Sequence, residues 1–316
     1  MTNNFRKAYY GSLGVQVVEI KPSVESALSG DELDLEKLSK LCLWVRIPHS
    51  YRSTVWKVLL GVLPTYKITW EFAEKQRKEQ YDDLKKTIAF AFPNKYPTKE
   101  IRDEEITPEI LIQMMIIYYL SKFPTKMIKI SDYQVNKAYL SMAKAFLEIC
   151  DNNAIDAFWN ITFFFRLLAI AQDDMSWIFE EEMVQQPTLI SDVIVLDKLI
   201  HSREPSLWRH FQKLNVQLDN IYAKWTQSCY AQILPNHCLE RIWDIMIGGS
   251  QTILIYIALG IITSCKNELK NITSSNEVEG VLNKQMNYLD FNIVTTKSIY
   301  LWERSHPGFV SNHPIE

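Results

Sequence analysis

Residues 239–266 read LERIWDIMIGGSQTILIYIALGIITSCK, and no charged side chain occurs between Asp244 and Lys266. An uncharged run of that length is either a membrane span or the central helix of a large core. Gly248, Gly249 and Ser250 interrupt it, and Ser250 is the kind of residue that caps a helix N-terminus. The remaining helix, Gln251 to Ser264, would measure about 21 Å at 1.5 Å per residue, against roughly 30 Å of bilayer hydrocarbon. The run therefore reads as a buried core helix, and no transmembrane segment is expected.

The rest of the chain can supply that core. Its 316 residues are 47% hydrophobic and 12% aromatic, enough for one big domain or two lobes. Only 9 glycines occur, and long stretches show helical spacing without strict alternation between tight turns. The expectation is an all-α protein.

Charge and cysteines narrow the function classes. A net charge of −3 and a pI near 6.1 leave no basic footprint for nucleic acid or an anionic membrane. The cysteines at 42, 150, 229, 238 and 265 form no CxxC and leave an odd one over, which fits a reduced, cytoplasmic compartment. The Asn-x-Thr triplets at Asn160 and Asn271 then read as chance.

Along the chain, SGDELDLEKL carries a capping signal in which Asp31 or Asp34 leads into Leu35 and Leu38. In RIPHSYRSTVWKVLLGVLP, Ile47-Pro48 sets an extended entry and Val55, Trp56, Leu59 and Leu60 form a helical face. Gly61 followed by Pro64 ends that helix. Residues 71 to 90 are charged and amphipathic, and EILIQMMIIYYLSKF is apolar almost all round. Helices are expected at about 135–150 and 154–171, then to about 201, with another beginning just after Pro205. A polar linker over 266–278 precedes a final amphipathic helix ending near Trp302.

No HExxH, GxSxG, GxxxxGK or GxGxxG occurs, and no two histidines stand at metal-ligand spacing. His237-Cys238 are neighbours expected to point apart on a helix. Asp173-Asp174 and the run Glu180 to Glu182 read as solvated faces. Neither a metal nor a cofactor is expected.

Three stretches carry a resemblance. RIPHSYRSTVWKVLLG offers Ile47, Pro48, Arg52, Val55, Trp56, Leu59, Leu60 and Gly61. EPSLWRHFQKLNVQLDNIYAKW offers Pro205, Leu207, His210 and Trp225. ILPNHCLERIWDIMIGGSQTILIYIALGI offers Arg241-Ile242-Trp243-Asp244 followed by Gly249 and an apolar helix. In this order they resemble the TBC domain, the all-helical module of GTPase-activating proteins for Rab GTPases. The resemblance implies two closely packed helical lobes over residues 44–264, with an N-terminal helical extension (1–43) and a linker and closing helix (265–316). It also implies a structural signature of Arg52, Trp56, Trp225, Arg241, Trp243, Asp244 and Gly249. Trp243 should be buried, with Arg241 and Asp244 in polar contacts, either with each other or with other elements.

Active TBC domains reach into the GTPase with an Arg in Ile-x-x-Asp-x-x-Arg-Thr and a Gln in Tyr-x-Gln-Gly-Met. The first motif falls on Gln80, Asp83, Lys86 and Thr87, and the second on Tyr139, Ser141, Met142 and Ala143. Lys86 and Ser141 therefore stand where the fingers would be. Lys is a point charge rather than a planar fork of donors, and Ser has neither the reach nor the paired donor and acceptor of an amide. Asp82 is expected to pair with Lys85 and Lys86 along the helix surface.

The family resemblance is strongest to its short members, of the kind that form the small subunit of the tuberous sclerosis complex. It rests on NFRKAYYGSLG, the near absence of extra domains, and a closing helix with Ile299, Leu301 and Trp302. This implies a regulatory subunit bound to a coiled-coil scaffold of the hamartin kind, in a complex restraining Rheb and TOR. Such a subunit would be cytoplasmic and reach endomembranes through its partners; a Rab GTPase is the alternative partner. For the scaffold, one reading makes Leu111, Met114, Met115 and Tyr118 a groove with Tyr81, Leu84 and Ile88 as second wall. The other makes the same apolar helix central and buried on all sides.

Overall fold

The computed structural model describes residues 20–96, 101–122, 135–168 and 187–306. The acidic runs at Asp173-Asp174 and Glu180 to Glu182, and NFRKAYYGSLG, lie outside the described residues. Fifteen helices are seen among them: α1 (Ile20–Ser29), α2 (Leu35–Trp44), α3 (His49–Leu59), α4 (Trp70–Ala91) and α5 (Pro108–Lys122) come first. Next are α6 (Lys137–Ile149), α7 (Ala154–Leu168), α8 (Pro187–Arg203), α9 (Pro205–Leu214) and α10 (Leu218–Gln227). The last are α11 (Asn236–Ile247), α12 (Ile253–Ser264), α13 (Lys266–Leu269), α14 (Glu277–Met286) and α15 (Phe291–Ser305). Only one isolated antiparallel bridge, Glu32 to Tyr66, interrupts the helical pattern among the described residues.

The uncharged run is a core helix. Every residue of α12 from Ile253 to Ile262 is buried, against α15, α8, α11 and α10. No described helix is long and apolar enough to cross a membrane. Ser250 is not its cap: Thr252 occupies that position, and its hydroxyl caps no helix amide. The Ser250 hydroxyl instead accepts from Trp302 Nε1 at 3.2 Å, fastening α15 to the core. Gly260 makes that closeness possible, because a Cβ there would lie 2.1 Å from Ser298 Oγ and 3.2 Å from Val294 Cγ1. Gly260→Leu is accordingly expected to push α15 off α12 at a cost of about 1–3 kcal/mol. A urea midpoint equal to wild type would show that α15 is not seated there.

Local signals explain the other boundaries. Asp34 caps α2 by accepting from Lys37 N at 3.0 Å. Pro205 opens α9 at its first position, where a missing N–H costs nothing. Gly61 (φ +81°) ends α3 and Gly249 (φ +106°) turns the chain between α11 and α12, conformations that a Cβ disfavours. Residues 266–278 are more than a polar linker: α13 lies there, and Leu269 and Ile272 are buried. Asn160 is fully buried with Nδ2 toward Cys150 Sγ, so that triplet cannot meet a glycosylating enzyme in the folded chain.

The core has one large cluster running from Leu43 to Trp302 and a smaller one built from α1 to α3 around Val24, Leu38, Cys42, Ile47 and Val55. Helix α5 sits in the large cluster, packed by α4, α6 and α7. Its buried Gln113 accepts from Tyr96 OH at 3.1 Å, and Tyr119 OH donates to the Thr162 carbonyl of α7. A helix apolar on every side has thus been covered on nearly every side.

Candidate functional site

The first and third signature stretches meet in one buried polar knot. Asp244 on α11 is fully buried. Its Oδ1 accepts from Trp56 Nε1 at 2.9 Å and from Arg52 Nε at 3.3 Å, both on α3. Its Oδ2 accepts from Ile47 N at 3.1 Å. Arg52, 1% exposed, also donates to Ile47 O at 2.5 Å and lies 3.0 Å from Glu240 Oε2. Arg241 points elsewhere: its guanidinium donates to the carbonyls of Cys42 (2.6 Å), Leu43 (2.7 Å) and Val45 (3.0 Å). It therefore caps the C-terminus of α2, where carbonyls lack helical partners and the dipole favours a cation. The open question of Arg241 and Asp244 resolves to other elements, α2 for one and α3 for the other.

Trp243, between them, is fully buried and stacks on Phe146 at 4.7 Å between ring centroids. Phe164 and Trp56 flank it at 5.3 and 6.3 Å, and its Nε1 donates to Cys229 O at 3.2 Å. The second stretch is anchored as well: Leu207 and Trp225 are buried, and His210 Nε2 lies 3.1 Å from Ile272 O.

Burial raises the Asp244 carboxyl to about 6, opposed by Arg52, Arg241, the Trp56 indole N–H and the Ile47 amide. The same desolvation lowers the Arg241 guanidinium. Because the folded value of Asp244 lies above its unfolded one, its stabilising contribution is full below about pH 4 and is lost as pH rises through about 6. Between those limits wild type should therefore lose stability relative to Asp244→Asn, by about 2–3 kcal/mol. Denaturation midpoints of both proteins at pH 4 and 7 check the sign; a constant difference would contradict it.

The two positions that the resemblance aligns with the fingers lie on the surface. Lys86 projects from α4 with 65% of its side chain exposed and pairs at 3.4 Å with Asp83, not with Asp82. Asp82 pairs with Lys85 as expected, at 3.9 Å, and more closely with Lys78 at 2.9 Å. Ser141, on α6, donates back to the Lys137 carbonyl at 2.9 Å. Helices α4 and α6 both pack against α5. Each position is engaged within its own helix, as ordinary helix-surface residues are.

The groove reading needs correcting. Leu111, Met114 and Met115 are wholly buried within the chain's own core, as are Tyr81 and Ile88 on the facing side of α4. Tyr81 stacks edge-on against Phe158 at 5.7 Å. Leu84 and Tyr118 are only half-buried and pack against the same core. None of the five buried residues offers surface to a partner, because α5 has been enclosed by α4, α6 and α7.

His237 and Cys238 do not point apart. His237 Nε2 lies 2.8 Å from Asn292 Oδ1, and Cys238 Sγ donates to the same oxygen at 3.8 Å, tying α11 to α15. No group of three metal-ligating side chains forms among the described residues. Sequence reasoning missed Gln232, which with Ser141 lines a recess of about 840 Å³ between α6 and the segment before α11. No motif marks Gln232; only folding brings it opposite α6.

Comparison with known proteins agrees with this geometry. The family described as the Rab-GTPase-TBC domain matches residues 49–270. The chain is similar to TBC1 domain family member 7 of Bos taurus, 27% identical over 306 residues, covering 95% of this chain and 94% of that protein. It is similarly 26% identical to TBC1 domain family member 7 of Homo sapiens over 303 residues, with 95% and 94% covered. In structure it resembles the crystallised Ypt/Rab-GAP domain of Gyp1p, with a TM-score of 0.60 at 15% identity, covering 92% of this chain and 100% of that one. That last likeness bears on the fold alone.

Proposed function

The chain belongs to the Rab-GTPase-TBC domain family, and from that premise we propose that it works as a regulatory subunit with little or no GTPase-activating power. The observation that carries this reading is the joint state of the two finger positions. Lys86 is engaged with Asp83 and Ser141 with its own helix backbone. A finger is worth about 10³ to 10⁵ in rate to a GTPase, and both positions differ at once.

The similarity to TBC1 domain family member 7 over nearly the whole chain supports a specific assignment. The protein would stabilise a tuberous-sclerosis-type complex restraining Rheb and TOR signalling. It would bind the coiled-coil scaffold subunit, of the hamartin kind, and reach endomembranes through it. The scaffold must then bind outside the enclosed α5 positions. Domain 44–264 would be the interaction module, braced by the extension before it and the closing helix after it. Co-expression with such a coiled coil tests this directly: one complex is expected on size exclusion, and separate elution would overturn the scaffold assignment.

A second reading keeps activity toward a Rab GTPase. It is favoured by one feature: Lys86 leaves an exposed cation where the arginine would stand. That reading requires Lys86 to break from Asp83 and reach the phosphates, and it predicts that Lys86→Ala abolishes any acceleration.

A further inference from the structure

Two recesses meet at Gln232. The first, of about 840 Å³, has Lys137, Ser141 and Lys144 along its α6 wall. The second, of about 420 Å³, lies between α10 and α14 and is lined by Trp225, Ile233, Met286 and Phe291, with Asn283 beside them. Gln232 lines both, so the two adjoin there as the halves of one groove.

The segment that leads into Gln232 is held in an unusual conformation. Cys229 (φ 45°) and Tyr230 (φ 66°) are consecutive non-glycine residues in the left-handed region, a strained arrangement that persists only where its surroundings over-determine it. Here they do. Trp243 Nε1 donates to Cys229 O at 3.2 Å, Tyr230 N to Trp225 O at 3.0 Å, and Tyr230 OH to Leu254 O at 2.9 Å. The core thus fixes the segment that presents Gln232 and Ile233 to the groove, which lowers the ordering cost of binding there.

The chemistry changes along the groove. One end is mixed, with Trp225, Met286 and Phe291 beside an ion pair that Lys224 and Glu279 make with each other at 2.7 Å. The other carries Lys137 and Lys144, while Glu148 at its edge lies 4.0 Å from Lys144 and accepts from Asn236. Among the described residues no carboxylate pairs with Lys137, and the exposed side-chain amides of Gln232 and Asn283 bond to no protein group. A free amide offers both a donor and an acceptor, the complement of a peptide main chain.

We propose that this groove docks an extended acidic segment of a partner protein. One bulky apolar side chain enters the Trp225–Phe291 end, and Gln232 and Asn283 hydrogen-bond the segment's main chain. Acidic residues beyond the anchor meet Lys137 and Lys144, so that charge complementarity sets the direction of the segment. The groove adjoins the surface around Ser141, and the proposal rests on the reading of this chain as an interaction module. Its failure is distinguishable, since GTP hydrolysis tests that reading and peptide binding tests this one.

Selection of a random 12-residue phage-displayed peptide library on the full chain provides the probe. Enriched peptides are expected to combine a bulky apolar residue with acidic residues to one side. Their affinity should fall at least about tenfold in Met286→Glu, and likewise in Lys137→Glu with Lys144→Glu. The lysines are exposed, so the charge-reversed protein should keep the wild-type melting temperature and remains informative if Met286→Glu unfolds. The proposal is overturned if enriched peptides lack acidic residues, if they bind the charge-reversed protein as tightly, or if none binds above a scrambled control. Self-association of the chain that the charge reversal abolishes would also overturn it, by making the occupant a second copy.

Discussion

Trp243→Ala is expected to destabilise the protein by about 3–5 kcal/mol, the range for truncating a fully packed tryptophan. The side chain is buried, stacked on Phe146, flanked by Phe164 and Trp56, and hydrogen-bonded to Cys229 O. Its removal therefore opens a cavity where α3, α6, α7 and α11 converge. It also releases the Cys229 carbonyl, one of the bonds holding the left-handed segment at Cys229 and Tyr230. On a chain of typical marginal stability, about 5–15 kcal/mol, a loss of that size is a large fraction of the whole. Chemical denaturation with tryptophan-independent detection reads it; an unchanged midpoint would place the signature outside the core.

The adjoining knot shows what was legible in the sequence and what was not. The apolar helix over 251–264, the Asp34 cap and the breaks at Gly61 and Gly249 are local, so spacing and residue type disclosed them. The Arg-Ile-Trp-Asp stretch could be located, but not the partners of its charges. Arg52 and Asp244 stand 192 positions apart, and only the packing of α3 on α11 joins them. The same limit explains Ser250, whose hydroxyl bonds Thr252 nearby and also accepts from Trp302 some 52 residues on. Helix α5 misled for another reason. A sequence apolar on all sides is compatible with a docking groove and with complete enclosure, and burial of Met114 and Met115 chose the second. Gln232 and His237 gained their neighbours wholly from tertiary structure, and no periodicity could have announced them.

The second large effect concerns catalysis. An arginine finger stabilises charge on the transferring phosphoryl group through a planar fork of donors, which the Lys86 ammonium cannot reproduce. Ser141 is too short to orient an attacking water, and its hydroxyl is already committed to the Lys137 carbonyl. Lys86 and Ser141, which the resemblance aligns with the two fingers, stand on α4 and α6, so on the proposed reading Lys86→Arg with Ser141→Gln should restore part of the missing rate where the helices keep their geometry. Either substitution alone should do less, because the two groups act on one transition state and their effects are not additive.

Single-turnover GTP hydrolysis by a panel of Rab GTPases, with and without the wild-type chain, is the most direct test. Rates that stay near the intrinsic value across the panel, and rise on joint replacement of Lys86 and Ser141, are the expected result. Acceleration by wild type beyond about 10³-fold, abolished by Lys86→Ala, would contradict the account and establish a working finger at that position.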